Sequence, residues 1–282
     1  MYFFFGLVQV IRLLNRQDYN EAIKLCWFYS EKLSKKSYSP RSYIRAFLIQ
    51  IVTATLRYEN FDEGKRAIQE YLKIVDEGDT PWFRIHLYYV YLCLQSEQFK
   101  LAINTLNTIL GHSKFRRLPA IDRERWLILR AYIYWLTTTG LVKTDNEKLK
   151  VFRVNKFANE MTQFNRDRQG MNITILVIQV LFLMQQKRYE DARQKIQSLS
   201  YQVTQQLRRT AGLERTYYFA CIVLQLSKAN FNRIAFERKA ARYLQSLASF
   251  PRSNDPQAFE VEVIRYDLLY HYIYQSLGNS LH

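Results

Sequence analysis

Residues 180–193 read V-L-F-L-M-Q-Q-K-R-Y-E-D-A-R: an apolar helix ending, a short polar corner, and a second helix opening at Tyr189. The arrangement recurs three times. Val180, Met184, Tyr189 and Ala192 match Val10, Leu14, Tyr19 and Ala22; Val52, Leu56, Phe61 and Gly64; and Val90, Leu94, Phe99 and Ala102. In each copy an aromatic stands nine residues after the Val, and a small residue follows three later. Repetition at this period indicates an array of stacked helix pairs, in which each unit buries its apolar face against its neighbours.

Outward from that stretch the chain reads as helices throughout. The first pair is expected over Tyr2–Asn15 and from Tyr19 to about Lys36. Pro40 opens the next helix, which ends near Tyr58, and its partner starts at Phe61. Thr80 serves as N-cap with Pro81 at the first helical position, beginning a third pair of 81–95 and 99–110. Ile121–Thr138, stopped by Gly140, and a helix capped by Asp145 and running to about Phe164 form an irregular fourth pair. A fifth pair spans 173–186 and 189–207, and a sixth 213–229 and 232–247. In the sixth, Ile222, Leu226 and Phe231 keep the spacing while Ile234 replaces the small residue. A single helix, Phe259–Leu277, closes the stack. No period-two alternation and no Asn-Gly or Asp-Gly hairpin signal is present. The predicted class is all-α: one helical-repeat domain over 1–282, of twelve or thirteen helices in antiparallel pairs.

The aromatic-x-x-Ala signature after an apolar helix resembles the tetratricopeptide repeat, a helix-turn-helix unit of 34 residues. The resemblance covers residues 3 to about 250, with four good units. The spacings are longer: 42 residues from Tyr19 to Phe61, 38 to Phe99, 90 to Tyr189 and 42 to Phe231. Val10, Val52, Val90 and Val180 replace the family's small residue in the middle of the first helix. The resemblance implies a right-handed superhelical array in which Ala22, Gly64, Ala102 and Ala192 permit the helix crossing. It makes Tyr19, Phe61, Phe99 and Tyr189 buried plugs of the corners. It also implies a peptide-binding concave groove built by the first helices. The groove positions include Leu7, Ile11, Ile49, Thr53, Leu87, Tyr91, Val177 and Leu181, nearly all apolar, so the carboxylate clamp of one well-known version of the family is not expected. Helices apolar all round are either buried or form a hydrophobic groove, and both readings stay open on sequence.

Composition narrows the partner classes. The chain is 48% apolar with only eight Gly and five Pro, ample for a continuous core and unlike a disordered segment. The net charge of +16 admits nucleic acid, an anionic surface or an acidic protein. Arg116, Arg117, Arg123, Arg125 and Arg130 form one basic cluster, Arg208, Arg209 and Arg215 a second, and Arg233, Arg238, Lys239 and Arg242 a third. Aromatics interleave with two of them: Tyr132, Tyr134 and Trp135 near the first, Tyr217 and Tyr218 near the second. Such rings are either base-stacking platforms or core packing.

Chemistry is sparse. Cys26, Cys93 and Cys221 form no C-x-x-C pair and sit in apolar helical stretches, reading as buried thiols in a reducing, cytoplasmic setting. His86, His112, His271 and His282 have no metal spacing. His86 and Cys93 stand two turns apart on one helix, too far for base and nucleophile to touch. Neither a phosphate-cradling glycine loop nor a nucleophile elbow occurs. No catalytic residue, cofactor or metal is assigned, and the chain is expected to be no enzyme. The apolar start, Met1–Val10, lacks a signal-peptide n-region and is too short to span a bilayer. It reads as a repeat helix whose preceding neighbour is absent, as in the C-terminal part of a longer protein.

The expected function is a non-catalytic adaptor binding a protein or peptide through the apolar groove or through Phe3 and Phe4 at the apolar N-terminal end, where self-association is also possible. The alternatives are a basic repeat module binding nucleic acid and a ligand-sensing regulator.

Overall fold

The structure, a computed structural model, describes residues 2–36, 40–142, 152, 157, 169–205, 212–252 and 261–277. Among the described residues there are twelve α-helices, one 3-10 segment and no strand. The chain divides into two compact units, Met1–Leu118 and Pro119–His282. The expected helix from Asp145 to Phe164 lies outside the described residues except for Phe152 and Phe157, both buried.

The first unit contains α1 (Tyr2–Asn15), α2 (Tyr19–Ser34), α3 (Arg41–Tyr58), α4 (Phe61–Leu72), α5 (Thr80–Gln95) and α6 (Phe99–Gly111), followed by the 3-10 segment Ser113–Arg117. Each of these helices packs on the next, and α3 also touches α1 and α5. The second unit contains α7 (Ala120–Thr138), α8 (Gln169–Gln185), α9 (Tyr189–Gln205), α10 (Glu214–Lys228), α11 (Arg233–Ser249) and α12 (Tyr266–Ser276). Consecutive helices again pack together, and α10 also touches α8 and α12.

The four corners share one backbone device. Gln17, Glu59, Glu97 and Lys187 adopt φ of 61°, 58°, 57° and 57°. The next residue returns its N–H to a carbonyl five residues back: Asp18 to Leu13 at 3.0 Å, Asn60 to Thr55 at 3.3 Å, Gln98 to Cys93 at 2.8 Å and Arg188 to Leu183 at 2.9 Å. This is the Schellman closure, which satisfies the carbonyls a helix end leaves open. The same residue then precedes the following helix. The Asp18 carboxylate accepts the Glu21 N–H, and the Asn60 side chain accepts that of Glu63. One helix is thus stopped and the next started with no loop between them.

The small residues sit at the crossings. Ala22, Gly64, Ala102 and Ala192 are all buried. A Cβ on Gly64 would stand 2.5 Å from Thr55 Oγ1 and 2.7 Å from Leu92 Cδ2, so α4 meets α3 and α5 at a distance only glycine allows. Val10, Val52, Val90 and Val180 are fully buried, each contributing about 1.5–3 kcal/mol relative to exposure.

Four expectations need correction. Tyr189 is not a buried plug: its ring is 41% exposed and lies against Phe231 of the next corner, centroids 4.8 Å apart. Tyr19, half-buried, likewise faces Tyr58 at 6.4 Å. A ring at a helix start meets only the adjoining corner, which cannot enclose it. In the sixth pair, Phe231 is not the counterpart of Tyr189. Asn230 and Phe231 both have positive φ, Phe231 N–H makes the corner bond to Leu226 O at 2.9 Å, and Asn232 caps α11 through the Ala235 N–H. Two extra residues before the cap put Phe231 inside the corner and leave Ile234 on the surface. The cap of α5 is Asp79 rather than Thr80. The last described helix starts at Tyr266, with Val263 and Ile264 before it buried outside any regular helix; the expected start at Phe259 lies outside the described residues.

Candidate functional site

The sequence of α1, Y-F-F-F-G-L-V-Q-V-I-R-L-L-N, is apolar on more than one side and carries a single charge, Arg12. Its inward face is set by α2 and α3. Val10 and Leu14 are buried, and Phe3 stacks on Tyr43 at 3.9 Å and meets Phe47 edge-on at 5.7 Å. Gly6 lets Tyr29 cross closely, since a Cβ there would stand 2.7 Å from that ring. Tyr29 in turn stacks on Phe47 and donates its hydroxyl to Gln9 Oε1 at 3.0 Å. The register of α1 is therefore pinned, and its remaining apolar residues are held outward.

Those are Phe4, Phe5, Val8 and Ile11, exposed by 66%, 59%, 48% and 43%. Phe4, Val8 and Ile11 follow the i, i+4, i+7 spacing of one helix face, with Phe5 beside them. The stripe presents no carboxylate and no amine; Arg12 lies at its end. Of the two N-terminal rings singled out by sequence, Phe4 belongs to this face and Phe3 to the interior. Phe5 and Val8 complete the face, and helical spacing counted from Phe4 already marks Val8.

The expected groove is not open. Thr53, Leu87, Tyr91, Val177 and Leu181 are buried, and Leu7 and Ile49 are half-buried. Of these positions only Ile11 is exposed, and it belongs to the α1 stripe. The reason is packing on several sides: α3 is covered by α1, α2, α4 and α5, and α8 by α7, α9 and α10. The apolar surface of these helices is core.

The basic clusters are also redistributed. Arg116 and Arg117 are exposed on the 3-10 segment. Arg125 is largely buried and pairs with Asp122 at 2.6 Å, while Arg123 is half-buried. Arg130 lies over the Phe152 ring. Arg208 and Arg209 lie outside the described residues. Arg215 holds Glu262 by two hydrogen bonds, 3.0 and 2.8 Å, and donates to the carbonyls of Leu247 and Phe250. The aromatics beside these arginines are packed rather than displayed. Tyr132 and Trp135 are buried, Tyr134 lies against Phe152 and Phe182, and Tyr218 stacks on Phe250. Tyr132 and Trp135 are core residues, and Tyr134 and Tyr218 are half-buried against other rings.

No group of three His, Cys, Asp or Glu side chains that could hold a metal gathers among the described residues. Cys26, Cys93 and Cys221 are free and buried, and burial pushes their thiols up, Cys93 to about 12. A thiol so placed is a poor nucleophile at neutral pH. No helix among the described residues is long and apolar enough to cross a membrane. No family model, curated protein or solved structure matches this chain.

Proposed function

We propose that this protein is a non-catalytic helical-repeat scaffold that binds a protein partner through the outward face of α1. The observation carrying the reading is that face: four large apolar side chains, uncharged and adjacent on a helix whose register is fixed from behind by Phe3, Gly6 and Val10. Exposed contiguous apolar surface is a mark of interaction sites, whereas single exposed apolar residues are ordinary. A rigid helix face also binds without a large ordering cost.

The scaffold is a tetratricopeptide-like array of helix pairs wound right-handed within each unit. Support comes from the four matched corners, the small residues at the crossings, and the additional contacts of α3 with α1 and α5 and of α10 with α8 and α12. The reading differs from that family's usual mode in using an outer helix face, since the inner positions are occupied by core packing.

The test is site-specific. A photo-crosslinking residue at Val8 is expected to yield a discrete heteromeric product in the native cell, and the same residue at exposed Glu31 on α2 is not. With the crosslinker kept at position 8, Phe4→Asp with Ile11→Asp is expected to abolish the product while leaving the helical circular dichroism unchanged. Products that are indistinguishable at positions 8 and 31 overturn the reading. A product consisting only of a second copy of the chain replaces the partner with self-association. Binding that falls by orders of magnitude between 50 and 200 mM salt would instead point to phosphate contacts.

A further inference from the structure

Between α4 and α6, over α5, the first unit holds a half-open pocket of about 280 Å³. Ile68 and Leu72 of α4 line its apolar part, and Lys65 of α4 lines it one turn away. Gln69 of α4, His86 and Tyr89 of α5, and Asn104, Thr105 and Thr108 of α6 supply the polar part.

The hydrogen-bonding capacity of these groups follows from the bonds they already make. His86 Nδ1 lies 2.8 Å from the Trp82 carbonyl oxygen. A carbonyl only accepts, so Nδ1 carries the proton and Nε2 is left with a lone pair. Burial, with the ring against Trp82 at 4.2 Å, lowers the affinity of the imidazole for a second proton, so it stays neutral at pH 7. Thr105 Oγ1 donates to Leu101 O at 2.8 Å and Thr108 Oγ1 to Asn104 O at 3.0 Å. Their protons are spent, and their lone pairs remain. His86, Thr105 and Thr108 therefore offer three neutral acceptors, while Gln69, Asn104 and Tyr89 can both donate and accept. Lys65 adds one positive charge, and its ammonium lies 5.9 Å from the Phe61 ring centroid with no carboxylate partner among the described residues.

We propose that this cavity binds a free amino acid with an aliphatic side chain, its carboxylate on Lys65, its ammonium on the lone pairs of His86, Thr105 and Thr108, and its side chain on Ile68 and Leu72. One lysine balances one negative charge, so a phosphate or a dicarboxylate would bring charge that nothing here neutralises, and unpaired charge is costly in a cavity. The volume falls just below the usual 300–1,000 Å³ of small-molecule sites, which suits one residue and excludes a nucleotide. A peptide terminus carries one of the two charged groups and leaves the other half of the site empty.

The experiment titrates the full chain with L-leucine, N-acetyl-L-leucine and L-leucinamide, following the His86 Cε1–H resonance by NMR, identified by its loss in His86→Gln. L-leucine is expected to shift the resonance saturably. Lys65→Met is expected to weaken L-leucine on the order of tenfold or more, the scale of a lost hydrogen bond to a charged group, and Lys65→Arg to restore part of it. Each half-charged analogue is expected to bind on the order of tenfold more weakly than L-leucine. No saturable shift at millimolar L-leucine overturns the proposal, as does an unchanged affinity in a folded Lys65→Met. N-acetyl-L-leucine binding as tightly as L-leucine also overturns it, in favour of a peptide C-terminus.

Discussion

Gly64 and Tyr189 belong to the same sequence signature and behave oppositely. At Gly64 the space is closed by Thr55 and Leu92. Gly64→Ala gains up to about 1 kcal/mol of helix propensity and loses more to overpacking, about 1–3 kcal/mol. A net destabilisation of about 1–2 kcal/mol is expected in urea unfolding, and a variant more stable than the parent would show that α4 can retreat from its neighbours. At Tyr189 the partly exposed ring touches mainly Phe231, so Tyr189→Ala is expected to cost about 1–2 kcal/mol, less than the ~3–5 kcal/mol of a buried ring. The small-residue positions were legible because close approach of two helices leaves room for one kind of side chain. The aromatic positions were legible as a pattern, but not their exposure, since that depends on how far the next corner reaches across.

At the scale of the element, the corners explain how a chain with eight glycines turns so sharply. The left-handed position is occupied by Gln17, Glu59, Glu97 and Lys187, side chains that conformation disfavours by about 1–2 kcal/mol. A sequence reading looks for Gly or Asn there and sees only a polar stretch. Lys187 is exposed and at φ 57°, which makes Lys187→Gly the cleanest probe. Relief of the strain, less the extra backbone entropy of glycine, about 0.5–1 kcal/mol, is expected to raise stability by about 0.5–1 kcal/mol. Equal or lower stability in thermal melts would mean that the Lys187 stem packs on the surface enough to offset its strain. The same device accounts for the misread sixth pair. Spacing alone aligned Phe231 with Tyr189, but two extra residues before the cap Asn232 moved it into the corner.

At the scale of the molecule, each compact unit has its own ties. In Pro119–His282 the tie is Arg215. From α10 it reaches Glu262, whose carboxylate also accepts the Tyr266 N–H at the start of α12, and it meets the carbonyls that end α11. Both side chains of the pair are nearly buried. Arg215→Met leaves Glu262 without its cation, and a cost of about 3 kcal/mol is expected, near the lower end for a broken buried pair. Hydrogen exchange should show faster opening across α10–α12, with α1–α6 unchanged. Faster exchange spread evenly over both units would refute a local clasp. Glu262→Gln combined with Arg215→Met should cost less than the sum of the two single changes.

What the amino-acid order determined by itself was helical class, most helix bounds and the crossing points. Those depend on forces acting within about four residues: 3.6-residue apolar periodicity, the N–H groups that Asp18 and Asn60 accept, the stop at Gly140, and the steric room at Ala22 or Gly64. Which apolar faces are covered was decided only in three dimensions. Thr53, Leu87 and Leu181 read like Phe4 and Val8 in a hydropathy pattern. The former are buried because other helices close over α3, α5 and α8, and the latter face outward because Phe3, Gly6 and Tyr29 fix the rotation of α1. Arg215 and Glu262, 47 residues apart, carry no local mark of one another. Their pairing exists only once packing has removed both from water, where an unpartnered charge cannot stay.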